Sequence, residues 1–308
     1  MKLKFRTPAK VNLTLNILRK REDGFHELET ILQMVSLYDE LELESLPLGI
    51  ELECDTPGIP TDETNLACKA ALLLQETCRV EDRGVRIRLK KNIPFGAGLG
   101  GGSGNAAGVL MGLNRLWDLN MSREKLAILA AELGSDVPFF VTSPCALGVG
   151  RGEQLEVLAP CSKFQVLLVF PGFPIATPWV YQNLKLKLTK RENNISILRK
   201  FLSQSDVARL GSRLYNDLEP LVIQRFPEIQ VIKGQLKAQK AGGVLLSGSG
   251  STVFGIFDDP EQAKTACAEL KGDWECIVTE TVVSFSEFLP EKVLAYPKCR
   301  GRLSGDLE

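Results

Sequence analysis

Between Pro94 and Ala107 the chain reads PFGAGLGGGSGNAA, with six glycines in the nine positions from Gly96 to Gly104. A strand-like run, VRIRLK, leads into it, and an Ala/Leu/Met-rich run with helical character leads out. Glycine lets the backbone take positive φ angles and lets a ligand lie against bare peptide N–H groups. A helix opening near Ser103 adds its unpaired N–H groups and the positive end of its dipole, and both favour an anion. The segment therefore reads as a phosphate cradle made by Pro94, Gly96, Ala97, Gly98, Leu99, Gly100, Gly101, Gly102, Ser103, Gly104 and Asn105. It is not a P-loop, because no G-K-[ST] follows the glycines, and no acidic residue ends a second strand where a dinucleotide site needs one. A flexible linker is the bland alternative, but linkers are rarely wedged between a strand and a helix of this composition.

At 308 residues the chain is long for one core, so two domains are expected, over 1–160 and 161–290, with a tail at 291–308. The 37 basic and 38 acidic residues leave a net charge of −1, which gives no general attraction to nucleic acid or anionic lipid. Eight scattered cysteines without a C-x-x-C pair, and a single histidine, argue against zinc. The opening MKLKFRTPAK is charged and alternating, and no eighteen apolar residues run together. We expect a reduced, cytoplasmic protein with no membrane partner, its cysteines mostly small core fillers.

Along the chain, Val11, Leu13, Leu15 and Ile17 alternate with Lys10, Asn12, Thr14 and Asn16, which predicts a strand with one polar face. A turn at residues 21–24 and a returning strand follow, then a helix capped by Thr61 or Asp62 and ending near Cys78. After the glycine loop the spacing predicts helices from Ser103 to Trp117 and from Ser122 to Leu133, then a short turn at LGSDVPFFV and a hairpin in ALGVGRGEQLEVL. The second half offers an apolar strand in FQVLLVF, helices near 193–209, 227–240 and 260–271, a strand–glycine loop–strand in VLLSGSGSTVFGIF, and a strand at 276–283. This is an α+β pattern.

A lysine on a polar strand face, a glycine-rich phosphate loop and SGSGS at 247–251 together resemble the three motifs of the GHMP small-molecule kinases, the galactokinase, homoserine kinase, mevalonate kinase and phosphomevalonate kinase family. TPAKVNLTLNI, DGFHELETI, PFGAGLGGGSGNAA, LGSDVPFFV, NDLEP and LSGSGSTVFG match in order over roughly residues 6–257. They are similar to the branch whose acceptor is a cytidine-diphosphate-linked erythritol, in the non-mevalonate route to isoprenoid precursors. The resemblance implies a two-domain GHMP-kinase-like fold with its active site in the interdomain cleft, and phosphoryl transfer from ATP, with Mg²⁺, to a hydroxyl of that small molecule.

Phosphoryl transfer needs positioning, neutralisation of charge and a base for the hydroxyl proton. Asp136 is the candidate base, following a capping Ser135 and set among apolar residues. Lys10, in the matching family position, would favour its ionised form and the developing alkoxide. The alternative is that Asp136 only caps a turn and Lys10 is a solvated strand lysine. The resemblance further places Phe25, His26, Thr177 and Tyr181 around the cytosine and sets Gly248 and Ser249 of SGSGS beside the transferred phosphate; Asn12, two residues after Lys10 on the same strand face, is a further candidate substrate contact. Two positions depart from the branch. Phe25 stands where tyrosine is usual, which keeps the ring and removes the phenol. Gly104 stands where a second serine is usual, so the metal ligands are unknown. The bland readings stay open for single residues: a structural histidine for His26, a loop cap for Thr177, a core ring for Tyr181. A different acceptor within the family, or a regulator that binds nucleotide without catalysis, are the rival functions. No feature fixes the oligomeric state beyond a monomer or weak homodimer.

Overall fold

In the structure, a computed structural model, residues 1–158, 163–184, 195–204 and 206–294 are described. The expected boundary at 160/161, most of the 291–308 tail, Cys161 and Cys299 lie outside them.

The chain opens with a long hairpin, β1 (Lys2–Lys20) and β2 (His26–Leu46), followed by β3 (Ile50–Cys54), α1 (Leu66–Cys78) and β4 (Gly84–Lys90). The glycine loop then delivers α2 (Gly101–Leu116), α3 (Arg123–Leu133) and α4 (Val137–Thr142), and the half closes with β5 (Cys145–Gly150) and β6 (Gln154–Val157). The second half runs β7 (Gln165–Phe170), α5 (Thr177–Asn183), α6 (Ile195–Gln204), α7 (Val207–Gly211), β8 (Tyr215–Asn216), α8 (Glu219–Arg225), α9 (Glu228–Ala238), β9 (Gly243–Leu246), β10 (Val253–Phe257), α10 (Pro260–Glu269), β11 (Glu275–Glu280) and α11 (Glu291–Leu294).

Two sheets result. The larger has the order β3-β4-β2-β1-β8, with β5 pairing β2 and β6 pairing β5; the smaller has the order β11-β7-β10-β9. The four-residue β9 and the two-residue β8 are edge strands, each paired with one longer neighbour, β10 and β1. The register of β1 on β2 slips at Pro8/Ala9, at Asn12/Thr14 and at Ile17/Arg19. Pro8 lacks the N–H that a regular ladder needs, and a bulge is where a strand tolerates that. Bulges also re-aim the side chains that follow them, and the residue two places after Pro8 is Lys10.

The strand that was expected to show one polar face is buried on both. Ala9, Val11 and Leu13 pack with Val166, Leu168, Leu245, Phe254 and Ile256 of the smaller sheet. Lys10, Asn12 and Thr14 on the opposite face are equally enclosed. The larger sheet's other core lies under α1 to α4, with Leu3, Leu41, Leu43 and Ile87 from strands and Leu74, Leu110, Leu113 and Phe139 from helices.

Local boundaries differ where a competing donor or acceptor wins. The cap of α1 is Asn65, whose side chain accepts from Ala67 N; Asp62 instead accepts from Thr64 N in the preceding turn. The helix after the loop begins at Gly101, two residues before Ser103. The region expected as one helix at 193–209 contains α6 and α7 with position 205 outside the described residues, as are 193 and 194. β3 and α8 were not anticipated, and the last strand is Glu275–Glu280 rather than 276–283. Of the described cysteines, Cys68 and Cys145 are buried, while Cys54, Cys78, Cys267 and Cys276 are only partly so and carry no disulfide. None of the described helices is long and apolar enough to cross a membrane.

Candidate active site

A cleft of about 810 Å³ runs between the two halves. Lys10, Asn12, Phe25, His26, Asp136, Thr177, Tyr181, Gly248 and Ser249 line it, together with Pro94, Gly96 to Ser103, and Asn105.

Lys10 is the best buried of its cations, its side chain only 4 % exposed, and its Nζ stands 3.5 Å from Oδ2 of Asp136, a carboxylate 38 % exposed. The ammonium donates to Oδ1 of Asn12 at 2.7 Å. Asn12 in turn donates through Nδ2 to Thr30 Oγ1, and Thr30 donates to the Thr14 carbonyl. That chain leaves the amide one orientation, with its oxygen toward Lys10, so Asn12 acts first as the holder of the lysine. Asp136 occupies the N-cap position of α4, but its side chain makes no capping bond. Ser135, expected as the cap, is not one. The carboxylate is thereby left to the cleft, above buried Val137, Phe139 and Phe140.

The glycine loop is locked against β1 and against the second glycine loop. Lys10 N donates to Leu99 O at 2.9 Å, Thr252 N to Ala97 O at 3.1 Å, and Ser247 Oγ to Gly98 O at 3.0 Å. Among the described residues, the amides of Gly98 to Ser103 meet no protein acceptor. Six consecutive N–H groups thus stand without a protein acceptor at the mouth of a sixteen-residue helix, an arrangement able to receive an anion. Gly98 is where a side chain is least tolerable. Its φ is +77°, and a methyl there would come 2.1 Å from Ser247 O. Gly98→Ala is expected to cost about 2 kcal/mol of stability, from left-handed strain and overpacking, and to weaken nucleotide binding. Thermal unfolding with and without ATP measures both, and an unchanged midpoint would show that the two loops are not interlocked.

Gly104 is a correction. It is absent from the cleft lining; its N–H already donates to Gly100 O, and a methyl there would approach Pro8 O to 2.9 Å. It packs α2 onto the bulge in β1. Asn105 is likewise committed: its Oδ1 accepts from Lys91 Nζ, and its Nδ2 donates to Thr7 Oγ1 and Asp39 Oδ2.

The two ends of the cleft differ. Around the start of α2 stand Ile59, Pro60, Thr64, Asn65, Leu66, Lys91, Ile93 and Phe95, a mostly apolar wall suited to a flat heterocycle. At the other end, Phe25 is 52 % exposed beneath the Arg151 guanidinium, 5.0 Å from its ring centroid. His26 and Tyr181 face each other with centroids 5.4 Å apart, and Thr177 Oγ1 lies 2.7 Å from Ser249 Oγ. Burial, then the charge of Lys20, lowers the His26 pKa, which favours a neutral ring with one donor and one acceptor nitrogen. Burial, then the Asp136 charge, raises that of the Tyr181 hydroxyl and keeps it protonated.

Two lining residues, Arg151 and Lys91, and the buried Asp39 that pairs with Lys91 escaped the sequence reading. Arg151 sits in a glycine turn, and only its basic character in an otherwise small-residue run signalled it. Lys91 lies three residues before Pro94, on the approach to the loop, a position that could have been noticed. Asp39, which fixes Lys91, carried no signal in the acidic run DELELE.

The GHMP kinases N terminal domain is matched over residues 65–143 and the GHMP kinases C terminal domain over residues 198–276. The chain belongs to the GHMP kinases. Among relatives in this family, a 4-diphosphocytidyl-2-C-methyl-D-erythritol kinase of a Geobacter species is 46 % identical over 273 residues, 88 % of this chain and 95 % of that one. The enzyme of the same name from Syntrophus aciditrophicus is 44 % identical over 284 residues, 91 % and 99 % of the two chains. The crystal structure of a 4-(cytidine 5'-diphospho)-2C-methyl-D-erythritol kinase superposes with a TM-score of 0.77 at 35 % identity, covering 91 % of this chain and 99 % of that one. A homoserine kinase from Cytophaga hutchinsonii, at 21 % identity and a TM-score of 0.73, shares the GHMP fold.

Proposed function

We propose that this GHMP kinase transfers the γ-phosphoryl group of ATP to a hydroxyl of 4-diphosphocytidyl-2-C-methyl-D-erythritol, giving the 2-phosphate, a step in the non-mevalonate supply of isoprenoid precursors. The observation that carries the reading is the Lys10–Asp136 pair at the middle of a cleft with bare amides on one side and Phe25, His26 and Tyr181 on the other. The relatives' shared name supplies the acceptor.

The nucleotide base enters the apolar end beside Leu66 and Ile93, and the triphosphate lies along Gly98 to Ser103. The cytosine stacks on Phe25, with neutral His26 on its polar edge and Tyr181 and Thr177 closing the far wall. Asp136 accepts the proton of the attacking hydroxyl. Lys10, 3.5 Å from that carboxylate, stabilises charge on the oxygen as it attacks. Among the described residues no three carboxylate, histidine or cysteine groups gather to hold a metal. Ser103 fits Mg²⁺ as an oxygen donor: it lines the cleft without a protein partner among the described residues, and Mg²⁺ binds chiefly through phosphates and waters. When bound, the ion neutralises charge on the separating phosphates. With this reading go 1–160 as the main nucleotide and catalytic part, 161–290 as the main acceptor part, a cytoplasmic location, and a monomer or weak homodimer.

Coupled assays with the cytidine-diphosphate acceptor, mevalonate, homoserine and a hexose test the assignment, and turnover of one of the last three alone overturns it. Phe25→Ala should raise KM for the cytidine acceptor about tenfold, the worth of one lost aromatic stack, and leave KM for ATP unchanged. An equal rise for both substrates would move the cytosine elsewhere.

A further inference from the structure

Asn216 begins the run NDLEP, which none of the steps above uses. It is the second residue of β8, set parallel beside Leu15 of β1 and 2 % exposed. Its Nδ2 donates to two carbonyls, Leu246 O at 2.9 Å and Gly248 O at 2.7 Å, while its Oδ1 accepts from Leu218 N at 2.9 Å. Both amide protons and the oxygen are thus engaged. Glu219, three residues on, accepts from Leu246 N at 2.8 Å and pairs with the buried Lys233. The N–H and C=O of Leu246 are therefore both held by side chains of one short run, at the point where β9 gives way to the second glycine loop.

What is held there faces the reacting groups. A methyl at Gly248 would come 3.2 Å from both Lys10 Nζ and Asn12 Oδ1. In a planar trans peptide the carbonyl of one residue and the N–H of the next point in opposite directions. A grip on Gly248 O from the buried side thus turns the Ser249 N–H toward the cleft, where, among the described residues, it meets no protein acceptor.

We propose that Asn216 is a positioning residue: through the Gly248 carbonyl it aims the Ser249 N–H at the phosphoryl group in transfer beside Lys10, without touching either substrate. This rests on the kinase reading above. Charge that develops on a transferring phosphoryl group is stabilised by donors already in place, and a fixed amide needs no reorganisation.

The test compares Asn216→Ala and Asn216→Asp with Asn114→Ala. Asn114 is a control of the same kind, a buried asparagine whose side chain braces the Met121 backbone far from the cleft. At a temperature below all unfolding midpoints, Asn216→Ala should lose kcat about a hundredfold, the order expected for a displaced donor. Its KM values for ATP and acceptor should stay within about threefold, as for an interaction made mainly in the transition state. Asn216→Asp keeps the contact to Leu218 N, sets a carboxylate against two carbonyls, and should be no better than alanine. Hydrogen exchange at Ser249 N should quicken in both, and Asn114→Ala should keep its kcat. Near-normal kcat in Asn216→Ala, or an equal kcat loss in Asn114→Ala, overturns the proposal. If the wild-type enzyme phosphorylates no acceptor, the functional reading falls instead, and unchanged exchange at Ser249 then overturns the role of Asn216 by itself.

Discussion

Replacing Asp136 by asparagine is expected to lower kcat about a thousandfold, roughly 4 kcal/mol of transition-state free energy, the contribution of one well-placed general base. The amide is nearly isosteric and cannot accept the hydroxyl proton. Binding should change little, because the glycine-loop amides and the Phe25–His26 end are untouched; KM for ATP and for the acceptor should stay within about threefold. Stability should also hold. Asp136 is 38 % exposed, makes no capping bond, and leaves Lys10 with its hydrogen bond to Asn12. An ion pair open to solvent on one side contributes about 1 kcal/mol or less. Steady-state kinetics, binding of a non-hydrolysable ATP analogue and thermal unfolding separate these effects. Turnover close to wild type would remove Asp136 as the base, and a large fall in the unfolding midpoint would make its role structural.

The largest effect on stability is expected from Asp39→Ala, at about 3–5 kcal/mol, the range for removing one partner of a buried ion pair. Asp39 is fully buried and accepts from Asn92 N, Ile93 N, Asn105 Nδ2 and the Lys91 ammonium. Its loss strands two backbone N–H groups and a cation with 7 % side-chain exposure, directly under the entry to the glycine loop. Nucleotide binding should weaken with it, since the start of α2 is tied to the same carboxylate through Asn105. Denaturant unfolding gives the magnitude. The double variant Asp39→Ala/Lys91→Met should recover more than half of the loss by removing the unpaired charge; no recovery would show that the amide contacts, and not the cation, dominate.

Much of the candidate site, as the residues that line one cleft, was legible because its chemistry is written in short local runs. The glycine loop declares itself through residues that need left-handed backbone and bare amides, and the family motifs carried Lys10, Asp136, Phe25 and His26 with it. Contacts between distant residues were not legible. Asp39 looks like any acid of its run until β2, β4 and α2 bring Lys91 and Asn105 to it from 52 and 66 positions away. The polar face of β1 was legible as polar but its burial was not, because alternation reports chemistry on each face and not what a second sheet later lays over it. Gly104 shows the same limit: a glycine in a phosphate loop and a glycine under a helix crossing are identical letters, and only the nearness of Pro8 O separates them.

The double burial of β1 bears on how the enzyme can open. Ala9, Val11 and Leu13 are keyed into the smaller sheet, and β8, reached from the far half of the chain, is stitched to the same strand. Swinging one half away from the other like a clamshell would shear that apolar contact. Substrate entry is therefore expected at the rim, where Phe25, Arg151 and Phe95 stand, with the β1 contact kept intact.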